Sequence, residues 1–522
     1  MSVRGRFELV YPALLAAYPV ISLAAGNPGE FLWAHLAALV LLLLLCGAVV
    51  HWLVALVLRG ASRSRVAVTA AAANAWLFCA PSVADRLPAL LPRYTLPALL
   101  LVCVGVAAWA RRSEHGAAAL SRAAAVFTVA LTGAGVVTLL VTDLRGRAAY
   151  AASPVVGAIR GGLPAPSALA RRPDVYVVIL DNFSNAAVMR DFYGVDTRSF
   201  QDSLRALGFV IPAATHSNYC FTAPSVASFL NGVHVRGLAE DVGPDSHNRE
   251  PLYKLSIDNA VSRWFRAAGY AVYVQPSVGF PGTARNVSST GTFGPGGIER
   301  ARLAIASVTL LPFVWHRTIP GRAYDRIYGE WGYGRERLIA LRSLASTAGL
   351  PGPKLVIAHS LAAHLPYVYD PTCRIVAAPS DSADVSPAYP PTVACTERLV
   401  LAAVRRILRE STLPPVVVLQ ADHGTRRSLP PQGDSAAFIT ADQARECTGA
   451  FGAYLIPGVA LPDTVSNVNV MRYVLRSLGA TLPMVSDAAF FNTADFPYRF
   501  VDVTPFLSAP TGREQVAGAP PP

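Results

Sequence analysis

Acidic and imidazole side chains end two apolar runs of the sequence. Asp181 and Asn182 follow the run Val-Val-Ile-Leu, and Asp422 and His423 follow the run Val-Val-Leu-Gln-Ala. A carboxylate beside an imidazole is a suitable ligand pair for a divalent cation. Each position also has a simpler interpretation, because Asp181 could serve as a cap or turn residue and the Asp-His pair could make structural hydrogen bonds.

Two histidines and a threonine add further reactive groups. His359 ends the apolar run at 355–359, and His364 follows after a short turn. Because two histidines flank one turn, we expect them to have a functional role. Thr222 lies two residues before Pro224, a residue favoured in the first turn of a helix. Its hydroxyl is therefore expected at a helix N-terminus, where an anion is stabilised. The simpler interpretation of Thr222 is a helix cap.

The elements that must position these groups alternate between short strands and helices after residue 172. A fully apolar strand is buried on both faces, which favours a mainly parallel central sheet covered by helices. In such sheets ligands gather at the carboxyl ends of the strands, so we expect the polar strand ends to converge. The predicted strands are 175–180, 271–275, 355–359, 416–420 and 453–456, and the predicted helices are 224–231, 258–268, 392–410 and 468–479.

The N-terminal part of the chain has the composition of a membrane domain. The 522 residues are 52% hydrophobic and 15% charged, with a mean hydropathy of +0.38, which is too apolar for one soluble domain. Stretches long enough to cross a hydrocarbon core of roughly 30 Å are predicted at 9–26, 31–58, 66–84, 94–110 and 123–142. The predicted organisation is a bundle of about five transmembrane helices at 1–143, a linker at 144–172, an outer domain at 173–507 and a disordered tail at 508–522.

The net charge of +12 is concentrated in the predicted membrane domain. The first 150 residues contain 12 basic and 5 acidic side chains, and the arginines favour one side of the spans. This distribution predicts a cytoplasmic N-terminus and an outer domain beyond the membrane. Nucleic-acid binding is not expected, because no basic run with interleaved aromatic residues follows. Only two residues are lysine, so a single arginine is weak evidence for an anion site.

Taken in order, four segments of the outer domain resemble the alkaline phosphatase superfamily. The similarity is to its membrane-anchored sulfatase-like branch, to which lipoteichoic acid synthases and lipid phosphoethanolamine transferases are related. The resemblance covers about 173–505 and implies an α/β alkaline-phosphatase-like domain. The matching segments are Pro173–Asp181, Ser217–Ser228, Ala358–Tyr367 and Gln420–Gly424.

The resemblance also implies a role for each candidate side chain. A metal ion would be bound by Asp181, Asp422 and His423, with Thr222 as nucleophile and fourth ligand. His364, with His359 and Asn182, would contact the substrate. The ligand types suit manganese, magnesium or zinc. A divalent ion lowers the pKa of a bound hydroxyl and neutralises phosphate oxygens, so a covalent phospho-threonine is expected.

The sequence departs from the sulfatase pattern at the nucleophile. Sulfatases resemble one another in Cys-x-Pro-Ser-Arg, whereas the frame at 222–226 reads Thr-Ala-Pro-Ser-Val. Threonine cannot supply the aldehyde that the sulfatase cysteine forms, and Cys220 is out of register by two residues. These departures favour phosphoryl-group chemistry over sulfate ester hydrolysis. Asn182 occupies a position where a second acid is often found, so whether a second metal ion binds stays an open question.

The expected protein is an enzyme of the bacterial inner membrane with its catalytic domain in the periplasm or outside the cell. The favoured function is transfer of a phosphate-linked head group from a membrane lipid donor to an envelope glycan or lipid acceptor. A membrane-tethered phosphodiesterase or phosphatase is the alternative, and a sulfuric ester hydrolase is less favoured. A third hypothesis is a non-enzymatic domain that binds envelope polymer. The oligomeric state stays open.

Four cysteines lie in the predicted outer domain, where an oxidising compartment permits two disulfides. Three pairings are possible, and we favour the set that joins Cys373 to Cys395 and Cys220 to Cys447. The second bond of this set would tether the loop that carries Thr222. A zinc site made of these cysteines is less favoured, because no two of them are close in sequence.

Overall fold

Two compact units divide the chain in the computed structural model. The described residues of the first unit end at Arg145, and those of the second begin at Gly146. The structure describes residues 3–28, 33–80, 83, 92–166, 169, 171–275, 288–292, 334, 337–376, 386–427, 438–507 and 515–517.

Long apolar helices form the first unit. The described helices that begin in this unit are α1 Val3–Gly26, α2 Trp33–Val57, α3 Arg63–Asn74, α4 Pro92–Arg112 and α5 Glu114–Ala152. The helix α3 continues as one π-helical segment, Ala75–Cys79. Three stretches are long and apolar enough to cross a membrane, namely Glu8–Gly26, Trp33–Val57 and Glu114–Ala152.

Three of the five predicted spans, 9–26, 31–58 and 123–142, lie on these helices of the described residues. The predicted span 66–84 overlaps α3 and its π-helical end but extends beyond residue 80, where continuous description stops. The predicted span 94–110 lies on α4, which is not among the three qualifying helices of the described residues. Within the described part of the chain, the structure supports a membrane unit with three apolar spanning helices.

A buried asparagine ties three of these helices together. The Asn74 side-chain nitrogen donates to the carbonyl of Pro12 at 2.8 Å and to that of Gly47 at 3.2 Å. Gly47 allows α2 to approach α1 closely, because a Cβ atom at this position would lie 2.9 Å from the Cα of Ala13. Small residues at such crossings bring helix backbones into contact in apolar surroundings.

The second unit is built on a six-stranded sheet that is mainly parallel. Its strand order is β4-β3-β5-β1-β6-β8, and every neighbouring pair is parallel except β6 with β8. The strands are β1 Val175–Leu180, β3 Ala271–Val274, β4 Gly291–Thr292, β5 Lys354–Ser360, β6 Val416–Ala421 and β8 Gly452–Leu455. Short pairs are formed by β2 Ala214–His216 with β9 Thr464–Ser466, β7 Phe438–Thr440 with β12 Gln515–Ala517, and β10 Phe490–Phe491 with β11 Val501–Asp502.

Helices cover both faces of this sheet. Alternate residues of β1 enter different apolar clusters, because Val177 packs in one and Val178 in the other. This two-sided burial explains why the central strands are continuously apolar. The described helices of the unit are α6 Pro154–Gly161, α7 Ala186–Tyr193, α8 Arg198–Ala206, α9 Thr222–Asn231, α10 Leu238–Val242, α11 Glu250–Ile257, α12 Ala260–Ala267, α13 Ile339–Leu344, α14 Tyr389–Glu410, α15 Ala441–Thr448 and α16 Asn467–Ser477.

The five predicted strands and four predicted helices of the outer domain correspond to elements of the structure with small shifts of their ends. The sequence reasoning missed the amphipathic helices α7, α8, α11 and α15. Of the predicted tail 508–522, only β12 is described, and it pairs with β7.

The predicted linker 144–172 contains regular structure that packs into the second unit. Residues up to Ala152 continue α5, and Ser153 caps α6 by accepting from the N–H of Val156. Val156 and Ile159 are buried in one of the two clusters that flank the sheet. Trp264 of α12 donates to the carbonyl of Pro164, which fixes the chain after α6.

Candidate metal centre and nucleophile

Three strands end side by side and carry the acidic and imidazole groups to one edge of the sheet. The residue Ile179 of β1 is in register with His359 of β5 and with Gln420 of β6. Asp181 and Asp422 lie two residues beyond this row, at the carboxyl ends of their strands. The parallel topology thus brings together residues that are 241 positions apart, as the sequence predicts.

Asp181, His359 and Asp422 form a buried group whose ligand atoms all lie within 4.8 Å of one another. The Nε2 atom of His359 is 3.3 Å from Oδ2 of Asp181. Asp181 Oδ1 and Asp422 Oδ2 are both buried, and neither has a hydrogen-bond partner in the part of the chain that the structure describes. Buried carboxylate oxygens are costly without a partner, so this group fits a divalent cation.

His359 therefore differs from its predicted place. The sequence reasoning assigned it to the substrate, whereas the structure groups its ring with the carboxylates of Asp181 and Asp422. Its position inside the strand β5, whose residues are all buried, turns the side chain toward Asp181 rather than toward solvent. His359 is thus a further candidate ligand beside the predicted set.

The hydroxyl of Thr222 points at the same group. Its Oγ1 lies 3.2 Å from Nε2 of His423, and that Nε2 atom is 3.5 Å from Asp422 Oδ2 and 3.9 Å from Asp181 Oδ1. The Nδ1 atom of His423 is 2.8 Å from the carbonyl of Gly424, which assigns the ring proton to Nδ1. Nε2 then carries a lone pair that faces Thr222 and the carboxylates.

Gly424 makes this orientation of the histidine possible. A Cβ atom at this position would clash with the backbone carbonyl of Glu446, so only glycine fits here. The Gly424 N–H donates to the carbonyl of Cys447 at 2.8 Å. The N–H of Thr425 donates to the hydroxyl of Ser184 at 3.0 Å, and this bond fixes the peptide whose carbonyl accepts from His423.

Thr222 is not the cap of its helix. Phe221 occupies the N-cap position and makes no side-chain capping bond, and Thr222 is the first residue of α9. The simpler interpretation of Thr222 as a cap is therefore wrong, because its side chain pairs with His423 instead. The exposed fraction of Thr222 is 8%, so the hydroxyl is nearly enclosed by the site.

The loop before Thr222 is held from both sides. Asn218 donates to the carbonyl of Ala488 at 2.6 Å and accepts from the N–H of Val468 at 2.7 Å. A disulfide joins Cys220 to Cys447, and the other favoured bond, Cys373 to Cys395, is also present. Both predicted disulfides are thus confirmed, and the first one connects the nucleophile loop to α15.

Asn182 positions a carboxylate and does not face the cluster with its side chain. Its backbone, at a φ of 60°, lets the N–H donate to Oδ1 of Asp422 at 3.2 Å. The side-chain amide contacts the carbonyl of Ala363 at 3.2 Å and the hydroxyl of Tyr367 at 3.1 Å. The geometry gives no support to the predicted contact between Asn182 and the substrate.

The turn that carries His364 is held by Arg337, which the sequence reasoning missed. Arg337 is 1% exposed and donates to the carbonyls of His364, Leu365 and Pro366. Burial lowers the pKa of His364, and the charge of Arg337 lowers it further. Whether His364 contacts a substrate stays a prediction.

The two carboxylates differ in their electrostatics. Burial alone would raise the pKa of Asp181, but the neighbouring His364, His359 and His423 hold it well below its usual range. Burial and the charge of Asp181 raise the pKa of Asp422. Two buried carboxylates in one group repel each other, and a bound cation would stabilise the charged form of both.

Comparison with known proteins gives structural similarity only. No protein-family model matches the sequence, and the search of curated proteins finds no match. The chain is similar to the C-terminal periplasmic domain of EcEptC from Escherichia coli, at 13% identity and a TM-score of 0.41, over 66% of this chain and 97% of that one.

Two further solved structures are similar at comparable levels. One is a protein in the alkaline phosphatase superfamily from Vibrio parahaemolyticus, at 11% identity and a TM-score of 0.40, over 64% of this chain and 77% of that one. The other is the lipoteichoic acid synthase LtaP from Listeria monocytogenes, at 12% identity and a TM-score of 0.36, over 63% of this chain and 78% of that one. The similar structures thus include members of the superfamily that the sequence motifs resemble.

Proposed function

We propose that this protein is a metal-dependent membrane transferase that moves a phosphate-linked head group from a lipid donor to an envelope glycan or lipid. The observation that carries the proposal is the contact of 3.2 Å between Thr222 Oγ1 and His423 Nε2, beside two buried carboxylates. It supports a hydroxyl nucleophile at a cation site. The missing sulfatase cysteine supports phosphoryl rather than sulfate chemistry.

The metal would be held by Asp181, Asp422, His423 and Thr222, with His359 as a further candidate ligand. When bound, it would lower the pKa of the hydroxyl and stabilise negative charge on the phosphoryl oxygens. Manganese, magnesium and zinc all suit these ligands.

The residues of the chain supply the nucleophile and its alignment. The His423 lone pair orients the Thr222 hydroxyl, and the bonds of Asn218 hold the loop. Thr222 Oγ1 forms a bond to phosphorus as the bond from phosphorus to the donor's alcohol breaks, and the hydroxyl proton passes to that alcohol. An acceptor hydroxyl then takes the phosphoryl group, and its proton returns to Thr222 Oγ1.

The membrane helices support a lipid donor. A chain with three helices apolar enough to cross a membrane stays at the bilayer, where phospholipids are abundant. The charge distribution supports the finer topology of five spans, a cytoplasmic N-terminus and an outer catalytic domain in a bacterial inner membrane. A hydrolase with the same site would pass the group to water, so the products distinguish the two functions.

The test uses the full chain in detergent micelles with manganese, magnesium or zinc and a panel of phospholipids. Intact mass spectrometry should detect an adduct on the wild type and on Thr222→Ser, and none on Thr222→Ala. The exposed Thr372 provides a matched control, so Thr372→Ala should form the adduct normally.

Full head-group transfer by Thr222→Ala would overturn the phospho-threonine route. An adduct followed by release of the head group into water, with no transfer to added glycan or lipid acceptors, would favour the hydrolase.

A further inference from the structure

A half-buried arginine with a buried Nε atom lies near Thr222 and is not among the predicted site residues. Arg426 follows His423 by three residues and donates to the carbonyl of Cys220, two residues before Thr222. Its guanidinium carbon is 5.4 Å from the ring centre of Phe221. The side chain therefore reaches back from the end of β6 to the loop that carries the nucleophile.

The positive charge of Arg426 has no matching carboxylate. In the described part of the chain, its Nε is buried without a hydrogen-bond partner, and no acidic side chain forms an ion pair with it. Asp422 and Asp181 are the negative charges that act on it most strongly. Those two carboxylates face the cation site, so a bound divalent ion would leave the guanidinium as excess positive charge.

Arg426 remains charged despite its surroundings. Burial lowers its pKa to about 10, which still leaves the guanidinium protonated at neutral pH. A buried Nε donor on a half-buried cation is costly without an acceptor, and an anion that accepts from it removes the cost. The planar guanidinium suits phosphate oxygens in particular.

A second arginine lies at the same aromatic ring. The guanidinium carbon of Arg249 is 5.1 Å from the ring centre of Phe221, and its Nη2 donates to the carbonyl of Ala494 at 2.7 Å. Two cationic groups thus contact the residue that directly precedes Thr222. The local charge favours an anionic ligand over a neutral one.

We propose that Arg426 binds a non-bridging oxygen of the phosphoryl group that Thr222 attacks, a role that rests on the proposed function. The arginine that sulfatases carry in the nucleophile frame is Val226 here, and Arg426 supplies a guanidinium from the neighbouring strand end instead. The substrate is accordingly an anionic phosphate ester.

The experiment measures binding of inorganic phosphate to the full chain in detergent by calorimetry, with and without added manganese. Replacing a charged hydrogen-bond donor by a neutral one weakens binding by about 10- to 100-fold, so Arg426→Gln should raise the dissociation constant of phosphate by that factor. The affinity for manganese should stay within about threefold of wild type, because Arg426 is not a ligand.

Arg427→Gln is the matched control. It removes the same charge one residue later, but the Arg427 guanidinium donates to the carbonyl of Phe192 and lies over the ring of Tyr193. Its phosphate affinity should equal that of the wild type. Added guanidinium ion should restore phosphate binding to Arg426→Ala, which a purely structural role would not predict.

Unchanged phosphate affinity in Arg426→Gln, or no phosphate binding by the wild type at millimolar concentration, would overturn the inference. These outcomes are independent of the covalent adduct. If Thr222 forms an adduct but phosphate binding does not depend on Arg426, this inference alone is refuted. If phosphate binding depends on Arg426 but no adduct forms, the phospho-threonine route is refuted and Arg426 remains an anion-binding residue.

Discussion

The hydroxyl of Ser225 donates to the backbone carbonyl of Asp422 across 2.5 Å and so joins α9, the helix that begins at Thr222, to the strand end that carries Asp422. Asn467 donates to the same carbonyl at 3.2 Å. This short hydrogen bond, from the first turn of α9, holds Thr222 close to the carboxylates.

Ser225→Ala should reduce the rate of adduct formation on Thr222 by about tenfold, because the helix is then free to shift away from Asp422. The free energy of unfolding should fall by about 1 kcal/mol, since Asn467 still satisfies the carbonyl. Ser228→Ala is the control, because Ser228 donates to the carbonyl of Val233 within the same unit. Stopped-time intact mass measurements and thermal unfolding of both variants check this prediction, and equal adduct rates would contradict it.

Asn182→Asp should not add a second metal ion, although it restores the acid often found at this position. The side chain faces the carbonyl of Ala363, and a carboxylate cannot donate to it. We expect the same metal content per chain as in the wild type and a loss of about 1 to 3 kcal/mol in stability. Metal analysis of the dialysed proteins is the measurement, and a gain of one ion per chain would refute the geometry.

Loss of the Cys220–Cys447 disulfide should impair both stability and adduct formation. The bond joins cysteines that are 227 residues apart in the sequence, whereas Cys373 and Cys395 are 22 residues apart. Loop entropy then predicts losses of about 5 and about 3 kcal/mol for the two paired Cys→Ser variants. Only the variant that lacks Cys220–Cys447 should form the adduct on Thr222 more slowly, since only that bond anchors the loop before Thr222. Equal adduct rates in the two variants would count against the tether.

Glu397 should make stability depend on pH. Its Oε1 is buried without a hydrogen-bond partner in the described part of the chain, and burial raises the pKa of the carboxyl from 4.5 to about 7. The pKa of this carboxyl is higher in the folded than in the unfolded protein. The free energy of unfolding is therefore at its full value below pH 4.5 and falls as the pH rises to about 7. The loss is at most about 3 kcal/mol.

Glu397→Gln should remove this dependence and raise the unfolding temperature above pH 7 relative to the wild type. Glu410→Gln is the control on the same helix, because Glu410 is exposed and pairs with Arg406 at 2.8 Å. Thermal unfolding between pH 4 and pH 8 tests both variants. A wild-type profile that is no steeper than that of Glu397→Gln would disprove the assignment.

The convergence of Asp181 and Asp422 could be predicted because both follow strands too apolar to face solvent. Parallel pairing then leaves their carboxyl ends at one edge. The antiparallel direction of β8 could not be predicted in this way, since a short buried strand has the same composition in either direction.

Side-chain directions at the strand ends were less predictable than the strands. The turn of Asn182 away from the cluster depends on its positive φ and on Tyr367, which comes from a distant segment. Arg426 was missed because its neighbours Cys220 and Phe221 are more than 200 residues away in sequence, so nothing local marks it. The predicted span 66–84 extends beyond the continuously described residues, and within them α3 continues as the π-helical segment Ala75–Cys79, a change of backbone geometry that hydropathy does not register.

The burial of Val156 and Ile159 has a practical meaning for anyone who wishes to separate the second unit from the apolar helices of the first. A protein that starts at residue 173 would lack α6 and expose the apolar cluster that this helix covers, so aggregation is its expected fate. A start at Ser153 keeps the helix together with its cap. A stable fragment of the second unit is therefore expected to begin inside the segment 144–172, whose composition resembles a linker.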